Sequence, residues 1–366
     1  MLRVGVGLTL ATVTVWTVAC SSSTDPGARP RAIARQLVAG KPIPILRDAH
    51  VAALPVFDNL KVNPTGLNDL GQIVGDSATF TTFRWTPGGD IEILAIPDTG
   101  FFQALPAGID DRGRVALTWS HLSSSPAIIL AATWEPGGAL RFDSTLGPNQ
   151  QCRAMAMNFA GVTAGTCDSA TVLWSPAGEP RVVHTAGGGA LLNAFVNAIS
   201  SNEFMVGSDS SMGFELSPAH QLTFLPQQRT SPTPLTVNDA GVAGGNAFDP
   251  TITGFGAVVW PHPDSVIALL PGAAGVTNGV ADDGNAIGAV TDTVRGTVVP
   301  FIWNSTIGLR RLPPLEMDSL GVAKEQGRAV AVNNRRQVLG VRCARVDGRR
   351  PLGDLDLLRR SVLITA

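Results

Sequence analysis

One phrase returns seven times along the chain: a small residue, an apolar residue, a reversal of the Asn-Asp-x-Gly kind, then a short apolar run ending in Gly. It is clearest as Gly66-Leu67-Asn68-Asp69-Leu70-Gly71-Gln72-Ile73-Val74-Gly75. The reversals begin at Asn68, Asp110, Asn158, Ser200, Asn238, Ala281 and Asn333, spaced 38 to 52 residues apart. Regular self-similarity means one supersecondary unit has been copied, and a period of about 40 to 45 residues belongs to four-stranded propeller blades.

The residue types say what each unit is. Gly three places after the reversal's first residue (Gly71, Gly113, Gly161, Gly241, Gly284) supplies positive φ, and the leading Asn or Asp satisfies turn backbone with its side chain, so each phrase is a hairpin between a first and a second strand. The small residue two before it (Gly66, Gly108, Ala156, Ala198, Thr236, Gly279, Ala331) suits a strand crowded against its neighbours around a central axis. A third strand ends in Trp85, Trp134, Trp174, Trp260 or Trp303, large enough to fill a gap between sheets; the fourth and seventh copies carry Phe214-Glu215-Leu216 and Val362-Leu363-Ile364 instead. Turn clusters such as Thr86-Pro87-Gly88-Gly89 follow, then a fourth run such as Ile91-Glu92-Ile93-Leu94. The fold class is therefore all-β: a seven-bladed β-propeller of four-stranded antiparallel blades. The last copy stops after its third strand, whereas residues 50–55 read like a fourth, so the N-terminal strand is expected to complete the last blade.

These phrases resemble those of extracellular proteins of the HAF-repeat type, whose units carry Asn-x-x-Gly-x-Val-x-Gly followed by His-Ala-Phe-x-Trp. The resemblance covers residues 60–366. Its second phrase is reduced here to Thr82-Phe83-Arg84-Trp85 and Pro300-Phe301-Ile302-Trp303, with no His. It implies a secreted β-propeller and no particular reaction.

Met1-Leu2-Arg3, an apolar stretch over residues 4–18 and a small Ala19 form a secretory signal. Thr17-Val18-Ala19-Cys20 resembles a bacterial lipobox, with Thr17 where Leu is usual. This resemblance implies residues 1–19 as signal peptide, a diacylated Cys20 anchored to a membrane leaflet, residues 20–46 as a flexible tether and residues 47–366 as the propeller. The polar Ser21 resembles that of lipoproteins sorted to the outer membrane, so the expected location is the outer membrane or cell surface; the alternative is an ordinary signal peptide cut elsewhere. Cys152 and Cys167 stand symmetrically about the Asn158 reversal, placed either for a cross-strand disulfide formed in an oxidising compartment or as two separate buried thiols.

Chemistry is sparsely written. A net charge of −2 argues against a general nucleic-acid binder, and no dinucleotide or phosphate-loop motif occurs. The five His residues sit in unrelated contexts, so no catalytic residue, metal or cofactor is assigned. Asp69, Asp110, Asp111, Asp239, Asp282 and Asp283 fall in the reversals, where turn chemistry accounts for them better than metal ligation. The long connections, residues 118–130, 246–255, 313–327 and 341–360, join second to third or fourth to first strands and so share one face. Phe101, Phe102, Trp119 and His121 on that face are the candidate ligand contacts, the alternative being ring packing. Arg335, Arg336, Arg345, Arg349 and Arg350 form a candidate basic patch for anionic headgroups or an acidic glycan, the alternative being a solvated surface.

The resulting expectation is a non-catalytic envelope lipoprotein that binds a protein or glycan of the envelope through the long-loop face and meets the membrane through Cys20. The alternatives are a scaffold subunit of an envelope assembly complex and a polysaccharide-active enzyme. The enzyme would need two carboxyls, or a His and a carboxyl, converging at the channel mouth.

Overall fold

A computed structural model describes residues 43–46, 49–54, 62–77, 80–96, 102–209, 212–226, 232–252, 254–294, 296–314, 325–344 and 359–365. Cys20, Phe101, Arg345, Arg349 and Arg350 lie outside the described residues. The chain begins its β structure with β1 (His50–Ala53). Blade 1 is β2–β5 (Val62–Leu67, Ile73–Ser77, Thr82–Trp85, Ile91–Ile93) and blade 2 is β6–β9 (Phe102–Ile109, Val115–His121, Ile128–Trp134, Leu140–Phe142). Blade 3 is β10–β13 (Cys152–Met157, Thr163–Cys167, Ala170–Trp174, Pro180–Val182), and blade 4 is β14–β17 (Ala194–Ile199, Met205–Asp209, Met212–Leu216, Leu222–Phe224). Blade 5 is β18–β21 (Thr233–Val237, Ala243–Asp249, Gly254–His262, Ser265–Ala268), and blade 6 is β22–β25 (Gly275–Val280, Ala286–Asp292, Thr297–Asn304, Gly308–Arg311). Blade 7 is β26–β28 (Glu325–Val332, Gln337–Ala344, Arg359–Thr365) with β1 as its outer strand, in the order β1-β28-β27-β26. This is the seven-bladed β-propeller read from the repeats, with first and last blades joined by the N-terminal strand: His50 pairs with Thr365 and Ala53 with Val362.

Each reversal closes the same way. The N–H of its first residue donates to the carbonyl four residues on, as Asn68 to Gln72 (3.1 Å), and the N–H three residues on returns to it, as Gly71 to Asn68 (3.1 Å). That third residue is left-handed in all seven copies: the five glycines have φ of 77° to 89°, and Glu203 (63°) and Arg336 (60°) take the same conformation without Gly.

A second regularity was not legible beforehand. Every first strand bulges against its partner at one place, between Pro64 and Gly66 in blade 1 and between Ala154 and Ala156 in blade 3. The bulge brings a first-strand carbonyl over the second strand; a Cβ on Gly165 would fall on the carbonyl oxygen of Arg153. This close approach explains the Gly that ends the repeated phrase.

Between blades lie seven buried apolar clusters, one to an interface among the described residues. Each indole packs back on the preceding blade, as Trp134 on Val74 and Leu94, and Trp260 on Val206 and Leu225. Blade 4, which lacks an indole, fills its interface with Phe214 and Leu216 against Leu173, Val183 and Leu191; Val183 and Leu191 come from a short hairpin after β13.

The N-terminal clasp starts earlier than residue 47. Residues 43–46 already lie along the outer edge of blade 6, where Ile45 forms a parallel bridge with Arg311, Leu46 N–H donates to Arg311 O (2.9 Å) and Arg311 N–H to Pro44 O (2.8 Å). Ile43 is buried in the cluster between blades 5 and 6, and Leu46 packs against that between blades 6 and 7.

Candidate functional site

The two ends of the channel are built differently. At the reversal end, leading Asn side chains reach across to the next blade: Asn68 Nδ2 donates to Asp110 O (2.7 Å), Asn158 to Ser200 O (2.9 Å), Asn238 to Ala281 O (3.0 Å) and Asn333 to Asn68 O (2.8 Å), the last across the closure. One residue further on, carboxylates and an amide accept backbone N–H groups from the preceding blade: Asp69 from Asn334 (2.7 Å), Asp111 from Asp69 (2.9 Å), Asp239 from Ser201 (2.6 Å), Asp282 from Asp239 (2.9 Å) and Asn334 from Asp282 (3.1 Å). Burial raises the Asp111 and Asp282 carboxyls above the usual range, and neighbouring carboxylates add to the rise, including Asp69 for both. These groups are cross-blade acceptors, a role that own-turn capping alone did not anticipate. No group of three or more His, Cys, Asp or Glu that could hold a metal occurs among the described residues.

Inward from this ring runs a channel cavity of about 240 Å³, lined by first strands and carrying Asn197, Asn278, Asp239 and Asp282 on its wall. Asn197 and Asn278 occupy bulge positions and donate to Pro234 O and Ala329 O of the next blades, both at 2.7 Å. Toward the long-loop end, just before each bulge, one register position of the first strands carries Asn63, Leu105, Arg153, Phe195, Thr233, Val276 and Arg328. Flanking side chains such as Ala104, Cys152, Ala154, Ala194 and Val196 are buried between blades, while Val62 and Pro106 are half-buried. At the register position itself Leu105 is 40% and Phe195 44% exposed, and Arg153 is exposed. Arg328 donates to Asn63 Oδ1 (3.3 Å), and Asn63 donates to Asp76 (3.1 Å).

The candidate contacts Phe102, Trp119 and His121 do converge. They sit on paired strands rather than on a loop, because β7 and β8 extend to His121 and Ile128 and leave only residues 122–127 as the connection. Phe102 stacks on His121 with ring centres 4.2 Å apart, and Trp119 lies 5.2 Å from Phe102. Phe142, passed over in the sequence, meets Trp119 edge-on at 5.4 Å and is 47% exposed. Its only sequence signal was the three-residue run Leu140-Arg141-Phe142 of an outer strand. Trp119 also leans on the cluster between blades 1 and 2, so the group is part packing and part surface.

Of the five candidate basic residues, Arg335 and Arg336 lie within the described residues. Arg335 and Arg336 stand in the blade 7 reversal, just ahead of β27. Arg336 is also paired, its Nε 2.9 Å from Asp283 Oδ2 of blade 6.

Buried charge is distributed unevenly between the blades. The residue before the third-strand indole is Arg84 in blade 1 and Thr133 in blade 2, and the equivalent residue of blade 4, before Leu216, is Glu215. Arg84 donates to Gly113 O (2.6 Å), pairs with Glu92 and lies 4.5 Å above the Trp134 ring. Thr133 bonds the buried Asp143, whose carboxyl is raised by burial against the opposing pull of Arg141, 2.9 Å away. Glu215 has an oxygen with no hydrogen-bond partner and is 4% exposed; burial pushes its carboxyl up to about 7. Cys152 and Cys167 are joined as a disulfide across β10 and β11.

No protein-family model and no curated protein matches this sequence. Among solved structures the fold is similar to virginiamycin B lyase from Staphylococcus aureus, with a TM-score of 0.52 and 10% identity over 87% of this chain and 99% of that one. A streptogramin B lyase structure is similar at TM-score 0.50 and 8% identity, over 87% of this chain and 97% of that one. At such identity the likeness is one of fold.

Proposed function

We propose that the protein is a non-catalytic, lipid-anchored envelope propeller that binds a protein or glycan of the cell envelope through its long-loop face. The observation carrying this reading is the convergence of Phe102, Trp119, His121 and Phe142, from three strands of blade 2, at the long-loop end with Phe142 left open. Aromatic groups of this kind offer apolar ring surface to a sugar face or a side chain, with the His121 ring as a polar neighbour; its Nε2 lies 2.9 Å from Ser123 Oγ. The same reading has residues 1–19 removed on export and Cys20 acylated, with a tether leading to the strap at residue 43 and the ring displayed at the outer membrane or cell surface. Carboxylates at the reversal end of the channel are occupied by backbone N–H groups, which weakens the enzyme alternative.

Immobilised wild-type propeller, incubated with solubilised envelope, is expected to retain a protein or glycan species that Phe142→Ala and Trp119→Ala release at unchanged circular dichroism. Equal capture by all three contradicts the reading. Incorporation of a labelled fatty acid that disappears in Cys20→Ser tests the anchor.

One observation favours a scaffold subunit instead. Ile93 (53%), Phe142 (47%) and Phe224 (42%) expose apolar surface on the outer strands of three blades, where a neighbouring subunit could cover them. Co-purification lost in Ile93→Ser and Phe224→Ser, but kept in Trp119→Ala, would select that reading.

A further inference from the structure

The centre of the long-loop face carries a second set of side chains, chemically unlike the aromatic group of blade 2. In three consecutive blades the pre-bulge position holds Leu105, Arg153 and Phe195, which places a guanidinium between two exposed apolar side chains at the channel lip. Their neighbours Ala104, Cys152, Ala154, Ala194 and Val196 are buried between blades and Pro106 is half-buried, so the three exposed side chains share the open side. Among the described residues Arg153 makes no ion pair and no side-chain hydrogen bond. A cation left unpaired beside a half-exposed Phe contributes little to the ring's stability.

The strand holding Arg153 is fixed from below. Cys152, the preceding residue, is bonded to Cys167 of the partner strand, and the Arg153 carbonyl lies against Gly165. Two residues earlier in each chain segment stand Gln103 in β6, and Gln151 and Asn193 immediately before β10 and β14, Gln151 Nε2 also donating to Ala127 O (3.3 Å). A guanidinium on a rigid strand, a flat apolar ring beside it and carboxamides around it offer a charge-assisted pair to a carboxylate, a platform for a C–H face and partners for hydroxyls. These three demands coincide in one ligand class. We propose that the channel lip formed by Leu105, Arg153 and Phe195 is a binding subsite for a carboxylate-bearing sugar residue, a uronate within an acidic glycan.

The subsite stands apart from the proposed aromatic contacts, and its test separates the two. Titration calorimetry at low salt would use tetragalacturonate, its methyl ester and a tetraglutamate peptide as probes. Wild type is expected to bind the acid about tenfold or more tighter than the ester, as a charge-assisted pair of about 1.5 kcal/mol or more requires. Arg153→Gln should erase that preference, Arg153→Lys should restore part of it, and Phe195→Ala should weaken acid and ester alike. Trp119→Ala should change none of these. Arg153 and Phe195 are exposed and Trp119 is half-buried, and a cooperative thermal melt confirms that each variant is folded. The subsite is refuted if wild type does not prefer the acid, if Arg153→Gln retains the preference, if Trp119→Ala removes it, or if the peptide binds as tightly as the uronide.

Discussion

The two ends of the channel are made from the same seven first strands, yet they use their side chains in opposite ways. At the reversal end polar groups are engaged within and between blades: Asn333 donates to Asn68 O of blade 1 and to Gln337 Oε1 of its own turn, and accepts from the Arg335 and Gln337 backbone N–H groups. At the long-loop end the equivalent first-strand positions differ from blade to blade, and Arg153 and Phe195 stand open, as does Phe142 on the outer strand of blade 2. Where repeated residues bond one blade to the next, drift is costly. Where side chains face solvent it is tolerated, and that is the end at which specificity can accumulate.

The comparison yields graded expectations. The largest effect belongs to Asn333→Ala, which removes the cross-blade donor to the buried Asn68 carbonyl, leaving it only Gly71 N–H, and takes the acceptor from two turn N–H groups; it should cost about 4 kcal/mol in denaturant unfolding. Ligand capture by the folded fraction should be unchanged; a loss below about 1 kcal/mol would mean the reversal ring does not hold the blades together.

Next comes the seam between the two ends, where Arg84 and Glu215 occupy one register with opposite outcomes. Glu215 holds its proton in the folded state up to about pH 7, well above its ordinary 4.5. The folded state therefore binds the proton more tightly than the unfolded chain, and stability falls as pH rises from about 4.5 through 7. Glu215→Gln should be more stable than wild type by about 3 kcal/mol at pH 8, with the gap closing by pH 5. A gap that does not change with pH would show the carboxyl to be paired or solvated.

Smaller still is Asp69→Ala. Its carboxylate accepts the Asn334 N–H at the closure, and its loss should lower stability by about 1 kcal/mol. At the opposite end Phe142→Ala and Arg153→Gln should shift the melting midpoint very little, since surface substitutions stay within about 0.5 kcal/mol.

How much of this was legible follows from which signals are local. Reversals, indoles and the unpaired N-terminal strand are written in short windows, so blades, their number and their closure could be read directly. The face of each first-strand residue could not. A bulge between positions such as Pro64 and Gly66 breaks the period-two alternation on which facing is judged, and so hid Arg153 and Phe195. Asp110 and Asp283 do accept from their own turns, but Asp69, Asp111, Asp239 and Asp282 accept backbone N–H groups of another blade, 38 to 43 residues away or across the closure. Phe102, Trp119 and His121 could be grouped because strand ends near one hairpin share an end of the blade.

The division of labour between the two ends is tested most directly by one paired measurement: thermal stability and capture of envelope ligand for Asp69→Ala and Phe142→Ala beside wild type. Asp69→Ala should melt earlier and capture normally, while Phe142→Ala should melt with wild type and lose capture. Lost capture in Asp69→Ala, or retained capture in Phe142→Ala, would contradict the account.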